Sequence, residues 1–267
     1  TKQNNNNNDN NNNNNNNNIR NNNSQWTPSP RLNPPDVVEV FSQHRVTTEA
    51  MNCGLDGGWA LDIKTGWDFN DPEHRRRCLA MVREHKPKLL VGCPPCTLFC
   101  SLMRWNFRNM GAAKVQEEMT KAIAYINFVI ILYREQIAGG RYFLHEHPAT
   151  ASSWKLSGME LLISMTGVLS VLGDMCAHGM TQEDSEGTGA IKKTTRYVTN
   201  SPYIADAVGK RCDKSHRHIT LLNGRAKAAE VYPRGLCAAI CSGIKAQLDH
   251  DTPWRGSPLS LVSEAER

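Results

Sequence analysis

The chain contains no run of apolar residues long enough to cross a membrane. A spanning helix needs about 20 such residues, whereas the largely apolar stretch Ile123–Tyr133 is short and is flanked by Lys121 and Arg134. A secretory signal peptide is also missing, and the nine cysteines lack the regular spacing of a small secreted disulfide scaffold. We therefore expect an intracellular protein, nuclear or cytoplasmic, with free thiols and no membrane partner.

The chain also lacks a strong imbalance of charge. Its formal net charge is +5, and the first 35 residues hold three basic side chains against one acidic, which leaves +3 for the rest. Short basic clusters occur at Arg75–Arg77, Lys192–Lys193 and Lys210–Arg211. A surplus of this size permits nucleic-acid binding but does not require it.

The two ends of the chain differ in composition from its middle. Asn4–Asn23 is almost pure asparagine, and Trp26–Pro35 is rich in proline. Such segments cannot bury a hydrophobic core. We predict disordered tails at residues 1–35 and 251–267, on either side of one domain at residues 36–250.

The most informative stretch is Lys88–Ser101, which reads KLLVGCPPCTLFCS. Leu89–Val91 predicts a short buried strand, and Gly92–Pro95 ends it in a proline-walled loop that presents Cys96. Reactive groups of open α/β sheets lie in the crevice at the carboxyl ends of the strands. Cys96 is therefore a candidate site residue.

Strand patterns and helix patterns alternate along the domain, which predicts an α/β fold with a mostly parallel sheet and helices on both faces. A threonine cap is expected at the start of the first helix, and the polar Thr181–Ala190 is predicted to be a loop. The predicted strands are Val37–Phe41, Trp59–Asp62, Leu89–Val91, Arg141–His145, Gly167–Gly173 and Lys192–Tyr197. The predicted helices are Thr47–Cys53, Pro72–His85, Gly111–Ile137, Leu156–Met165 and Arg234–Leu248.

The hexapeptide Pro94–Phe99, PPCTLF, resembles the Pro-Cys nucleophile loop of the DNA (cytosine-5) methyltransferases. The resemblance extends in order along about Val37–Leu248 and implies a Rossmann-like, S-adenosylmethionine-dependent methyltransferase sheet. It implies that Cys96 attacks carbon 6 of cytosine and that Glu146, at the end of a later strand, contacts the flipped base. It also implies a role for Arg196 near the cytosine carbonyl oxygen, with Lys193 as a substitute for a second arginine.

The cofactor implied by the resemblance is S-adenosylmethionine. Asp62 ends the second strand about twenty residues after the first, where a carboxylate can accept both ribose hydroxyls. Asp68 resembles the family's acid beside the adenine amino group. The first strand ends in Phe41-Ser42-Gln43-His44 without the family's glycines, so an unusual turn is needed to leave room for the cofactor. The candidate cofactor-binding residues are Phe41, Ser42, Asp62, Asp68 and Pro94.

The resemblance implies DNA rather than RNA as substrate. Only about thirty-five residues separate Arg196 from the closing helix, where the family carries a target-recognition domain. We therefore expect a monomer, or a protein that depends on a partner for target recognition. The alternative is a catalytically degenerate fold of this type, possibly derived from a mobile element, that acts as a binding or structural module.

Other chemistry is possible for some of these residues. Cys93, Cys96 and Cys100 form a C-x2-C-x3-C set that could hold a metal or an iron–sulfur cluster, but no fourth cysteine follows nearby. An adenine amino-methyltransferase would need Asp or Asn before the two prolines, where Cys93 stands.

A second group of possible metal ligands lies later in the chain. Cys212, His216 and His218 form a C-x3-H-x-H group, to which Cys176 or His178 could add a fourth zinc ligand. The spacing matches no common zinc motif, so the sequence favours a hydrogen-bonded loop cluster and no bound metal.

Overall fold

Strands and helices alternate through most of the chain in the computed structural model, which describes residues 33–100, 103, 107, 109–221 and 225–252. The described strands are β1 Val37–Val40, β2 Gly57–Leu61, β3 Leu89–Gly92, β4 Tyr142–Pro148, β5 Leu169–Asp174, β6 Thr181–Asp184, β7 Gly187–Ala190 and β8 Thr194–Thr199. The described α-helices are α1 Val46–Asn52, α2 Pro72–His85, α3 Ala112–Ala138, α4 Ser157–Ile163, α5 Pro202–Val208, α6 Arg225–Ala228 and α7 Arg234–Asp251.

Six of these strands form one mixed sheet in the order β2-β1-β3-β4-β8-β5. The first four run parallel to one another, whereas β8 is antiparallel to both β4 and β5. The chain places β2 on one side of β1 and β3 on the other, so the strand order reverses between β1 and β3. Such a reversal opens a crevice at the carboxyl ends of the strands, where α/β proteins bind ligands.

Two hydrophobic cores cover the two faces of this sheet. One face carries α2, α3 and α4 against strand residues such as Val38 and Leu90. The other carries α1, α5 and α7 against Val37 and Leu89. Successive side chains of a strand point to opposite faces of the sheet. The nearly continuous apolar sequences of β1 and β3 therefore contribute side chains to both cores. The predicted α/β class, the mostly parallel sheet and the helices on both faces are confirmed.

Local signals located several elements closely. Asp71 caps α2 by accepting a hydrogen bond from the Glu73 backbone N–H, and Pro72 occupies the first helical turn, so the helix has the predicted bounds. Gly111 and Gly139 flank α3, which lies within one residue of its prediction at each end. No helix among the described residues is both long enough and apolar enough to cross a membrane.

Three local predictions are wrong. Residues Thr181–Ala190 are the antiparallel hairpin β6–β7 rather than a loop. The strand predicted to end at His145 continues to Pro148, because its last residues pair with β8. The first helix begins at Val46 without a threonine cap. The predicted tails at 1–35 and 251–267 lie almost wholly outside the described residues.

Candidate active site

A pocket of about 290 Å³ opens at the carboxyl ends of β1, β2, β3 and β4. This volume lies just below the usual range for small-molecule sites, about 300–1,000 Å³. Six of the eight predicted site residues line the pocket, and two, Asp68 and Arg196, do not. The six are Phe41, Ser42, Asp62, Pro94, Cys96 and Glu146.

The turn after β1 has an unusual backbone. Phe41 has a φ of 60°, in the left-handed region that bulky residues rarely adopt. Its ring packs 4.6 Å from that of Phe69 and 5.0 Å from that of Tyr125, measured between centroids. The sequence predicted that this turn would be unusual, and the packing of Phe41 shows how the strained backbone is held.

A buried carboxylate orders the residues that follow this turn. Glu39 in β1 is fully buried and accepts four hydrogen bonds. They come from the Ser42 hydroxyl at 2.7 Å, the Arg45 N–H at 2.9 Å, and the Thr47 N–H and hydroxyl, each at 2.8 Å. Glu39 thus takes the place of a helix cap for α1 and fixes the loop that lines the pocket. Sequence analysis missed it, although a lone acid in the apolar text VVEV was a visible signal.

The end of β2 brings one of the two predicted acids to the pocket. Asp62 caps the short 3-10 turn Ile63–Thr65, with Oδ1 accepting the Lys64 N–H at 3.0 Å, and lines the pocket. Asp68 instead lies in the following loop, where its Oδ1 accepts the Asn70 N–H at 2.8 Å. The structure therefore joins Asp62, but not Asp68, to the pocket.

The loop that presents Cys96 is fastened to β4 by a buried histidine. His147 Nε2 lies 2.8 Å from the Pro94 carbonyl oxygen, and Nδ1 lies 2.7 Å from the Ser153 hydroxyl. A carbonyl can only accept, so Nε2 carries the proton and the neutral ring accepts from Ser153 at Nδ1. Burial, the largest cause, lowers the pKa of His147, which favours this neutral form.

Cys96 shares a hydrogen bond with a second thiol. This bond raises the pKa of Cys96 and, acting in the opposite direction, lowers the pKa of Cys100 to about 7. The positive charge of Lys193 favours a thiolate on either sulfur. Within the pair Cys100 therefore loses its proton more readily than Cys96, and of the two only Cys96 lines the pocket.

Glu146 faces the same pocket from β4 and is 7% exposed. Its Oε2 accepts a hydrogen bond from the Tyr232 hydroxyl at 3.0 Å, and Tyr232 in turn lies 3.0 Å from the Cys93 sulfur. Its Oε1 is buried without a hydrogen-bond partner among the described residues, although Lys193 Nζ lies 3.6 Å away. Oε1 therefore has an ion-pair partner in Lys193 but makes no hydrogen bond within the described part of the chain.

The cation beside Glu146 is Lys193 rather than Arg196. Tyr197 pairs with Glu146 across β4 and β8, so Arg196, one residue earlier, points to the opposite face of the sheet. There its Nε donates to the Ser170 hydroxyl at 2.7 Å, and its guanidinium lies 4.9 Å from the centre of the Trp154 ring. Arg196 was predicted to lie in the pocket beside Glu146, but it lies on the opposite face of the sheet.

Lys193 lies just before β8 and lines the pocket. Burial alone would lower its pKa, but the charges of Glu146, Cys96 and Cys100 outweigh that effect and raise it. Lys193 therefore remains protonated beside the carboxylate and the thiol pair. The sequence indicated it only as a substitute for an arginine.

No protein-family model matches the sequence, and a search of curated proteins finds no match.

Proposed function

We propose that the chain transfers a methyl group from S-adenosylmethionine to carbon 5 of cytosine in DNA, through a covalent adduct with Cys96. One observation carries the proposal: a pocket at the reversal of strand order is lined both by Cys96 and by Glu146, whose buried Oε1 has no hydrogen-bond partner among the described residues. A thiol beside a carboxyl group that can carry a proton suits addition to a ring whose nitrogen must be polarised.

The sheet supports the finer fold assignment, a Rossmann-like methyltransferase domain. A cofactor would lie at the carboxyl ends of β1 and β2, because the strand order reverses beside β1. Asp62 would accept ribose hydroxyls, and this is supported by the hydrogen bond from the Lys64 N–H, which engages Oδ1 alone. Phe41, Ser42 and Pro94 would line the same cofactor site.

The residues present fit the cofactor in one further respect. The ring of Phe41 packs against Phe69 and Tyr125, so that it forms a wall of the pocket without occupying it. When bound, S-adenosylmethionine supplies an electrophilic methyl group.

The protein's own residues would prepare the base for this methyl group. The Cys96 thiolate forms a bond to carbon 6, the C5=C6 electron pair shifts to C4=C5, and the C4=N3 pair shifts to N3, which takes a proton from Glu146 in its protonated form. Carbon 5 is then nucleophilic enough to be methylated. Loss of the carbon 5 proton to water, departure of Cys96 as a thiolate and return of the N3 proton to Glu146 restore the aromatic ring. Lys193 favours the thiolate beforehand by its charge.

Cytosine in duplex DNA must first leave its stack, which costs a few kcal/mol. Glu146 and Lys193 offer contacts to the flipped edge that would offset part of this cost. Between β8 and α7 the described residues contain the short helices α5 and α6 and the segment joining them. These described residues form no separate target-recognition domain, and we propose that a partner selects the target sequence.

A second candidate is a binding module that has lost catalysis. It is favoured by the Gln43 and Arg45 side chains, which line the pocket beside the β1 turn and leave a small cavity. Such a module would bind the cofactor or the base without transferring a methyl group.

A transfer assay separates the two candidates. Wild-type protein is incubated with S-adenosylmethionine carrying a labelled methyl group and with cytosine-rich DNA. Label in 5-methylcytosine that disappears with Cys96→Ser supports the enzyme. Cofactor binding without any label in the DNA supports the binding module.

A further inference from the structure

Four possible metal ligands converge at the edge of the sheet, away from the pocket that holds Cys96. Cys176 lies in the 3-10 turn that follows β5, and the other three residues lie in the segment between α5 and α6. The sulfurs of Cys176 and Cys212 and ring nitrogens of His216 and His218 all lie within 4.8 Å of one another. The fold therefore brings Cys176 next to the three possible ligands of the C-x3-H-x-H group.

The distances fit a tetrahedral ion. Zinc–sulfur bonds of about 2.3 Å and zinc–nitrogen bonds of about 2.0–2.1 Å imply sulfur–nitrogen edges of roughly 3.5 Å in a tetrahedron. The Cys212 sulfur lies 3.6 Å from His216 Nε2 and 3.4 Å from His218 Nε2. Both imidazoles thus present the same nitrogen to one sulfur, at the spacing that a shared zinc ion requires.

The backbone around Cys212 supports this arrangement. Its N–H donates to Asp174 Oδ2 at 3.0 Å, which holds Cys212 close to the turn containing Cys176. The Lys214 N–H donates to the Cys212 sulfur at 3.3 Å, and such a donor stabilises a thiolate. His218 is held by a parallel bridge to Ala190.

His178, the other candidate for the fourth ligand, is otherwise engaged. It is buried, and its Nε2 lies 3.2 Å from the Val208 carbonyl oxygen. A carbonyl can only accept, so Nε2 carries the proton, and Nδ1, which keeps the lone pair, is not part of the converging group of ligand atoms. The fourth ligand is therefore Cys176.

We propose that Cys176, Cys212, His216 and His218 bind one Zn²⁺ ion. Two thiols and two imidazoles match the borderline-soft character of zinc, and four protein ligands leave no open position. The site is therefore structural. Binding releases two thiol protons, one from each cysteine, so that the site holds two thiolates and two neutral imidazoles around the ion.

The ion would fasten a segment that has little regular structure of its own. Between α5 and α6 the described residues form a single isolated β-bridge, at His218. Ile219 is the only one of these described residues that is buried in the hydrophobic core. Zinc would tie this segment to the turn after β5 and, through Asp174, to the sheet edge. The sequence favoured a metal-free hydrogen-bonded cluster, and the position of Cys176 is what changes that interpretation.

The test begins with the metal content of the whole protein, purified without chelator or added metal. We expect about one zinc ion per chain. Removal of zinc by a chelator should lower the midpoint of thermal unfolding, and addition of zinc should restore that midpoint. X-ray absorption should show two sulfur neighbours at about 2.3 Å and two nitrogen neighbours at about 2.0–2.1 Å. Cobalt(II) in place of zinc should give the visible bands of a tetrahedral thiolate site.

Variants identify the ligands. Cys212→Ser and His218→Ala should lose the bound zinc, whereas Cys53→Ser, which alters a half-buried thiol outside the cluster, should retain it. If Cys212→Ser does not fold, the absorption and cobalt spectra of the wild type decide. The proposal is overturned if the wild type takes up no zinc from zinc-containing buffer, if Cys176 and Cys212 prove to form a disulfide, or if the ligand variants and Cys53→Ser hold zinc equally.

Discussion

His147 Nε2 donates a hydrogen bond to the Pro94 carbonyl oxygen at 2.8 Å, and this bond joins β4 to the loop that carries Cys96. The same strand places Glu146 in the pocket. Strand β4 therefore positions the Glu146 carboxyl group directly, and it positions the Cys96 thiol through the hydrogen bond from His147, the residue next to Glu146. The relative placement of the two groups depends on a histidine that does not itself line the pocket.

Removal of this histidine should weaken both stability and catalysis. In His147→Ala the Pro94 carbonyl and the Ser153 hydroxyl lose their partner inside the protein, which costs about 1–3 kcal/mol in the free energy of unfolding. Urea denaturation measures this. His250→Ala, which alters an exposed histidine in the last turn of α7, should change stability by less than about 0.5 kcal/mol. Equal stability of the two variants would contradict the role given to His147.

Stability should fall as the pH drops below about 6.5, the ordinary pKa of histidine. Burial lowers the pKa of His147 and lowers that of His145 well below the ordinary value. Between the lowered pKa of the folded state and about 6.5, the unfolded chain therefore binds more protons than the folded chain. The free energy of unfolding is thus highest above a pH of about 6.5 and decreases as the pH falls through this interval. Each histidine contributes up to about 1.4 kcal/mol per pH unit.

Urea midpoints at pH 7.5 and 5 measure this loss. His147→Gln keeps an N–H donor for Pro94 but does not titrate. It should reduce the dependence of the free energy of unfolding on pH by up to the contribution of one proton. A slope unchanged by His147→Gln would show that other groups cause the pH dependence.

Lys193 should control the reactivity of the thiol pair. Its charge stabilises a thiolate on Cys96 or Cys100, so Lys193→Met should raise the apparent pKa of the pair by about 1 unit. The rate of iodoacetamide alkylation, followed against pH by mass spectrometry of both cysteines, reports this pKa. The matched control is Lys192→Met, since Lys192 is exposed and does not line the pocket. If both variants behave like the wild type, Lys193 does not act on the thiols.

The two acids after β2 should differ in their effect on cofactor binding. Asp62→Asn keeps an oxygen for the Lys64 N–H but removes the charge offered to the ribose, which should weaken S-adenosylmethionine binding about 10-fold or more. Asp68→Asn should bind as the wild type does, because Asp68 lies outside the pocket. Titration calorimetry compares them. A larger loss for Asp68→Asn would contradict the proposed cofactor site.

Local signals explain why part of the fold was predictable. A cap followed by proline set the start of α2, and the glycines at 111 and 139 bounded α3. The hairpin at 181–190 was missed because its text is polar and rich in glycine, and its strands are joined by backbone hydrogen bonds rather than by apolar side chains. Strands of this kind lack the alternation that a sequence reveals.

The site was predictable where one residue carried the signal. Cys96 could be located from the sequence of its loop, and Glu146 from the resemblance of its strand end to that of the cytosine-5 methyltransferases. The choice between Lys193 and Arg196 could not, because Arg196 lies one position from Tyr197, the partner of Glu146, and one position along a strand exchanges the two faces of the sheet. Glu39 acts through hydrogen bonds to a loop, and Cys176 reaches its partners only through the fold.

The central claim is that Cys96 forms a covalent bond to cytosine, and trapping on DNA that contains 5-fluorocytosine tests it most directly. Fluorine at carbon 5 blocks the proton loss that releases the enzyme, so wild-type protein with S-adenosylmethionine should form a complex that survives denaturing electrophoresis. Cys96→Ser should abolish the complex, whereas Cys100→Ser, which keeps a hydroxyl donor beside Cys96, should retain it. A complex that persists in Cys96→Ser, or a wild type that forms none, would contradict the account.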